Sequence, residues 1–117
     1  AIGPEGAAAL GKALRSNASL KSLVVGSNGI GADGAIALAE ALKSNSSLES
    51  LTLIYNEIGP RGAEALGQAL QKNRSLKSLE VGLNAVGTDG AVALAEGLKR
   101  NGSLQSLNLE NSDIGPQ

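Results

Sequence analysis

The chain has 117 residues and a net charge of −1, with 11 acidic side chains against 10 basic ones. Such near-balance gives no electrostatic pull toward nucleic acid or an anionic membrane surface. There is no Cys, no His and a single aromatic residue, Tyr55. A disulfide framework, thiolate chemistry, the usual proton shuttle and the commonest zinc ligands are thereby excluded.

No apolar run approaches membrane-spanning length, and no basic-then-apolar segment marks a leader. From that and the lack of Cys, a cytoplasmic location is expected.

Taken in order, the chain opens on Ile2-Gly3-Pro4-Glu5-Gly6, whose counterparts are Ile30 to Gly34, Ile58 to Gly62, Val86 to Gly90 and Ile114 to Gln117. A helix follows each of the first four, because Ala7/Leu10/Leu14, Ala35/Leu38/Leu42, Ala63/Leu66/Leu70 and Ala91/Leu94/Leu98 recur at i, i+3, i+7. Gly3-Pro4 and Gly59-Pro60 place Pro at a helix start. Glu5, Asp33 and Asp89 sit in first turns, while Arg15, Lys43, Lys72, Lys99 and Arg100 sit in last turns, the arrangement a helix dipole favours. Asn17, Asn45, Asn73 and Asn101 stop the helices, and a left-handed C′ conformation is expected of them.

Next comes Leu20 to Asn28, which recurs as Leu48 to Asn56, Leu76 to Asn84 and Leu104 to Ser112 at 28-residue intervals. Within it the short alternation Leu23-Val24-Val25 predicts a strand of three or four residues. The inward pairs of the later copies are Leu51/Leu53, Leu79/Val81 and Leu107/Leu109. Strands joined by helices run parallel, with a right-handed crossover.

A fixed period of this size marks a stacked, quasi-one-dimensional repeat architecture. Residues 1–117 are expected to form one domain with strands starting near 20, 48, 76 and 104. The pattern is cut within a repeat at both ends, which suggests a piece of a longer solenoid.

Leu23-x-Val25-x-x-Asn28-x-Ile30, repeated as Leu51-x-Leu53-x-x-Asn56-x-Ile58 and Leu79-x-Val81-x-x-Asn84-x-Val86, resembles the leucine-rich repeat. The 28-residue length and the Ala/Leu helix make it similar to the ribonuclease-inhibitor-like class, as in the repeat domains of NOD-like receptors. The resemblance covers essentially the whole chain. It implies an α/β horseshoe arc, with parallel strands on the concave face and helices on the convex face. It also implies that Asn28, Asn56 and Asn84 satisfy backbone groups of neighbouring turns. Ser112 breaks that column.

The same curvature follows from size, since strands neighbour at about 4.8 Å and helices at about 10 Å. Ala and Gly at 11/39/67/95 and 13/41/69/97 are read as concessions to close helix packing.

Several motifs look like chemistry. Gly29-Ile30-Gly31-Ala32-Asp33-Gly34 matches a dinucleotide-binding fingerprint, with Glu49 at the distance of a ribose-binding acid. Gly31 and Gly34 have counterparts in every repeat, however, and a role shared by all repeats is structural.

Asn17-Ala18-Ser19, Asn45-Ser46-Ser47, Asn73-Arg74-Ser75 and Asn101-Gly102-Ser103 are glycosylation sequons. They also fit a helix-stop Asn followed by a turn Ser. Glu40 and Glu96 can meet Lys43 and Arg100 within a turn. The basic residues gather near helix ends and strand starts, along one rim. A pair of catalytic carboxylates needs a shielded pocket, which an open sheet rarely supplies. Neither an enzyme nor a cofactor site is expected.

The remaining signal lies at strand positions not used by the core. Ser22, Ser50, Ser78 and Ser106 are constant. Val24, Thr52, Ile54, Tyr55, Glu80, Leu83, Asn108 and Glu110 vary on a constant frame, and several are apolar where no core receives them. A protein partner on the concave face is expected to contact these residues, with Tyr55 a suitable anchor. Nucleic acid and membrane are not expected partners. The alternative is a structural role, in which exposed solenoid ends associate end to end.

Overall fold

The computed structural model describes residues 3–26, 29–53, 56–82 and 86–108. Among these described residues, four helices alternate with four strands. They are α1 (Gly3–Ser16), β1 (Ser22–Val24), α2 (Gly31–Ser44), β2 (Ser50–Thr52), α3 (Gly59–Lys72), β3 (Ser78–Glu80), α4 (Gly87–Arg100) and β4 (Ser106–Asn108). The strands form one parallel sheet in the order β1-β2-β3-β4. Its register is set by the repeat, with Leu23 beside Leu51, Leu51 beside Leu79, and Leu79 beside Leu107. The result is the expected leucine-rich-repeat solenoid, a layer of short strands backed by a layer of helices.

Each helix begins on a glycine with positive φ: 66° at Gly3, 67° at Gly31, 63° at Gly59 and 71° at Gly87. Only glycine enters that region without a Cβ penalty, so this column turns the chain from strand into helix. Ile30, Ile58 and Val86 precede it with helical dihedrals and buried side chains. The Ile30 and Ile58 carbonyls accept from Gly34 N and Gly62 N, both at 3.1 Å. The first turns of α2 and α3 are thus closed by backbone alone, with no side-chain cap.

The core is one aliphatic cluster running through every repeat, with Leu38, Leu48, Leu51, Leu53, Leu66, Leu70, Leu76 and Leu79 all buried. Full burial of such a side chain is worth about 1.5–3 kcal/mol. Helices approach closely where side chains vanish. A Cβ on Gly67 would lie 2.3 Å from the Ala93 carbonyl oxygen, and one on Gly97 would lie 2.2 Å from that of Gly67. The small-residue columns therefore set the α3–α4 distance, as their composition suggests.

Two asparagine columns tie repeat to repeat. Asn56 is buried, and its Nδ2 donates to the Val25 carbonyl of the preceding repeat. Its Oδ1 accepts from Ile30 N at 3.5 Å, while its carbonyl accepts from Gly31 N at 2.9 Å. This is the ladder the resemblance implies. Asn28, Asn84 and Ser112, its other members, lie outside the described residues.

The second column corrects the expectation for the helix stops. Asn45, Asn73 and Asn101 are extended rather than left-handed, with φ/ψ of −90°/133°, −76°/136° and −86°/137°. Their side chains bridge repeats instead. Asn73 Nδ2 donates to the carbonyls of Leu42 (2.8 Å) and Asn45 (2.9 Å), while its Oδ1 accepts from Ser75 N (3.0 Å) and Leu76 N (2.7 Å). Asn45 does the same with Leu14 and Asn17 upstream, and Asn101 with Leu70 and Asn73. A left-handed C′ residue would satisfy only its own helix. Extended backbone lets one amide serve two repeats.

Candidate functional site: the inner sheet face

Each strand has three residues, and in β2 and β3 the central leucine points into the core. Alternation then sends its neighbours to the opposite face. Register places Val24 beside Thr52, Thr52 beside Glu80 and Glu80 beside Asn108. Four of the expected contact residues thus form one row, stepping about 4.8 Å from strand to strand.

Val24 is 70% exposed, an apolar side chain in the open. Thr52, Glu80 and Asn108 are half-buried. The constant serines 22, 50, 78 and 106 form a second, parallel row. Ile54, Tyr55, Leu83 and Glu110 lie outside the described residues.

Backbone hydrogen bonds hold the variable row rigidly. The carbonyls of Thr52, Glu80 and Asn108 accept from Val25 N (2.8 Å), Leu53 N (2.8 Å) and Val81 N (3.0 Å) of the preceding repeats. Side chains carried on such a ladder are already positioned before a partner arrives.

Just before each strand a third column reads Lys21, Glu49, Lys77, Gln105, and its charges alternate. Lys21 Nζ lies 3.7 Å from Glu49 Oε2, with both side chains largely exposed. Pairs of this kind contribute under about 1 kcal/mol, which leaves them available to a charged partner. Reading the basic residues as a rim missed this alternation. The signal was the sign change between equivalent positions 21, 49 and 77.

The same geometry disposes of the chemical motifs. Gly31 makes the strand-to-helix turn at φ 67°, and a Cβ on Gly34 would meet the Ile30 and Ala7 Cβ atoms at 2.7 and 3.0 Å. Both glycines serve the frame, and Glu49 faces Lys21. At the sequons, Asn45 and Asn73 are buried with both Nδ2 hydrogens donated, leaving no room for a sugar in the folded chain.

On the helices, Lys43 Nζ donates to Glu40 Oε2 at 3.0 Å. That bond, with the lysine charge, holds the Glu40 carboxyl below its ordinary range. Asp33 pairs instead with Arg61 of the next helix at 3.5 Å. Glu96 and Arg100 make no ion pair among the described residues. No helix there is long and apolar enough to cross a membrane.

A solved structure described as "Leiomodin-1 Actin-Binding Site 2 (ABS2)" superposes with a TM-score of 0.86 at 28% sequence identity. The match covers 92% of this chain and 63% of that one, so the chain spans less than two thirds of its structural neighbour. A comparison with curated proteins gives no match. The family model described as "Leucine Rich repeat" matches residues 16–39, 44–67 and 72–95. Each matched window is about 24 residues long, shorter than the 28-residue interval at which the windows recur. These windows, the strand–helix repeat and the asparagine bridges agree: the chain belongs to the leucine-rich repeat family.

Proposed function

We propose that this chain is a non-catalytic recognition module that takes a protein partner on its concave sheet face. The observation that carries the reading is the row Val24, Thr52, Glu80, Asn108. It puts four chemically different side chains at one position of a frame that is otherwise repeated, on a backbone fixed by hydrogen bonds. Leucine-rich repeats generally mediate protein–protein interaction, which supports it. Ile54, Tyr55, Leu83 and Glu110 extend the same surface in this reading.

A protein is preferred to nucleic acid or membrane because the face offers an exposed Val24 and an alternating Lys21/Glu49/Lys77 rim rather than a basic field. Within the family we assign the chain to the ribonuclease-inhibitor-like class, similar to NOD-like receptor repeats. The 28-residue period and a helix in every repeat support this. A cytoplasmic site of action accords with the absence of Cys.

Actin is the partner to test first, since the superposing segment is named for binding it. Monomeric and filamentous actin are titrated with the purified chain, then with Val24→Glu/Glu80→Lys and with Ile54→Ser/Tyr55→Ser. Binding that weakens about tenfold or more in both variants is the expected result. If actin does not bind, the variants are applied to whichever partner cross-linking identifies. A partner insensitive to both variants but lost on Glu64→Lys, on the exposed side of α3, would overturn the concave-face reading.

A further inference from the structure

The strands are parallel and each helix runs back between them. Every helix C-terminus and strand start therefore lies on one edge of the solenoid, and every strand end and helix start on the other. Charge divides along the same line. Of the ten basic side chains, all but Lys12 and Arg61 lie in the segments 15–21, 43–49, 71–77 and 99–105 of the first edge, where Glu49 is the one acid. On the other edge, Glu5, Asp33, Glu57 and Asp89 stand against Arg61. A net charge of −1 conceals two edges of opposite sign.

Helix dipoles account for part of this, since each favours a cation in its last turn. They do not account for the third repeat. There Lys72, Arg74 and Lys77 are all exposed cations, and the last two lie beyond the end of α3. The equivalent positions hold Ser16, Ala18 and Lys21 in the first repeat, Ser44, Ser46 and Glu49 in the second, and Arg100, Gly102 and Gln105 in the fourth. All of these positions are exposed except Glu49, which is half-buried, and the third repeat has a neighbour on each side. The exposure is a property of the repeat.

The acids nearby leave these cations unneutralised. Glu49 pairs with Lys21 and Glu40 with Lys43, whereas Lys72, Lys77 and Arg100 make no ion pair among the described residues. Arg74 Nη1 donates to the carbonyls of Gln71 (2.9 Å) and Asn73 (3.1 Å) at the end of α3. Those bonds hold the guanidinium in place, and its Nε and Nη2 have no partner among the described residues.

We infer that this edge, at Lys72, Arg74, Lys77 and Arg100, takes an acidic segment of the protein that sits on the sheet face. Lys77 directly precedes β3, so one partner reaches both surfaces. Lys72 and Arg100 are equivalent positions on neighbouring helices, about 10 Å apart. An extended peptide covers that distance in three residues of about 3.3 Å each. The fitting segment thus carries a carboxylate at every third position, and the free edge of Arg74 receives one of them in two parallel hydrogen bonds. Glu49 and Glu80 bound the cluster, which makes it an island rather than a track. A nucleic-acid strand, charged at every nucleotide and in need of aromatic platforms, does not match it. The inference rests on the proposed reading for the partner's being a protein on the sheet face, while its acidic specificity is tested on the chain alone.

A fluorescein-labelled peptide with Glu at every third position, and Ser and Gly between, is titrated with the full chain by fluorescence anisotropy. Binding that weakens at least about tenfold as ionic strength rises from roughly 0.05 to 0.5 M is expected. Lys72→Ser/Arg74→Ser/Lys77→Gln introduces residues that the second and fourth repeats already carry, so the fold is kept, and should weaken binding about tenfold or more. Lys12→Glu/Arg61→Gln changes the net charge equally, away from this edge, and should shift binding less than about twofold. Equal loss in both variants, no binding by the wild type, or tighter binding of a single-stranded oligonucleotide of equal charge would each overturn the inference. A partner insensitive to the sheet-face variants, with the peptide still held at the edge, would remove the sheet-face reading and leave the acidic-segment site. A partner lost in the sheet-face variants, with no peptide binding, would remove the edge alone.

Discussion

Asn73 makes five hydrogen bonds with one side chain at 2% exposure, two of them to carbonyls of the preceding repeat. Asn73→Ala strands those partners away from water and should cost about 3 kcal/mol or more. Asn17→Ala, which loses two exposed bonds, should cost under about 1 kcal/mol. Urea unfolding of the two variants measures the contrast.

Glu57 is the only described non-glycine residue with positive φ, at 56°, where its counterpart Gly29 has 60°. Glu57→Gly removes the Cβ penalty and adds unfolded-chain entropy, for a net gain of about 0.5–1 kcal/mol, visible as a raised Tm.

Glu40 is held below its ordinary value chiefly by the Lys43 hydrogen bond, then by the lysine charge. Its folded form releases the proton more readily than its unfolded form. The contribution is therefore present above the unfolded pKa and lost as pH falls through the lowered folded one. Glu40→Gln should be slightly less stable than wild type near neutral pH and equal to it in acid. Unfolding midpoints across that range check the sign.

Among the elements, helices and strands answer to different constraints. The strands are only three residues long, so they draw their stability from the ladder and from the central leucines rather than from their own propensity. The helices are held by how near they can come. Gly67→Ala improves helix propensity by up to about 1 kcal/mol, yet its Cβ meets a backbone oxygen that cannot rotate aside. A net loss of about 1–2 kcal/mol is expected from overpacking. Gly11→Ala, with the corresponding approach at 2.9 Å, should cost less. Paired unfolding measurements separate the two.

For the whole molecule, neighbours supply almost all the burial, so stability should fall from the centre outward. Hydrogen exchange should find the amides of α2, β2, α3 and β3 slowest and those of α1 and β4 fastest. Uniform protection would mean that the four repeats open only as one unit.

Much of this was legible beforehand. The 28-residue period fixes the parallel register, the Ala/Leu spacing fixes the helices, and the recurring leucines mark the core, because each is a local pattern repeated four times. The variable positions 24, 52, 80 and 108 could be picked out for the same reason, since variation shows against a constant frame.

What the sequence could not settle were relations between residues a whole repeat apart. Asn45, Asn73 and Asn101 do end their helices, but local rules consider only one helix end and gave no sign of the bridges their side chains make. Their partners lie 28 and 31 positions upstream, and only stacking brings those carbonyls within reach. The Lys21–Glu49 pairing, and the exposure of Leu20 and Leu98 where equivalent leucines are buried, were likewise decided by tertiary structure. A periodic sequence specifies each layer. Whether a given side chain is core, bridge or open surface depends on whether another layer lies against it.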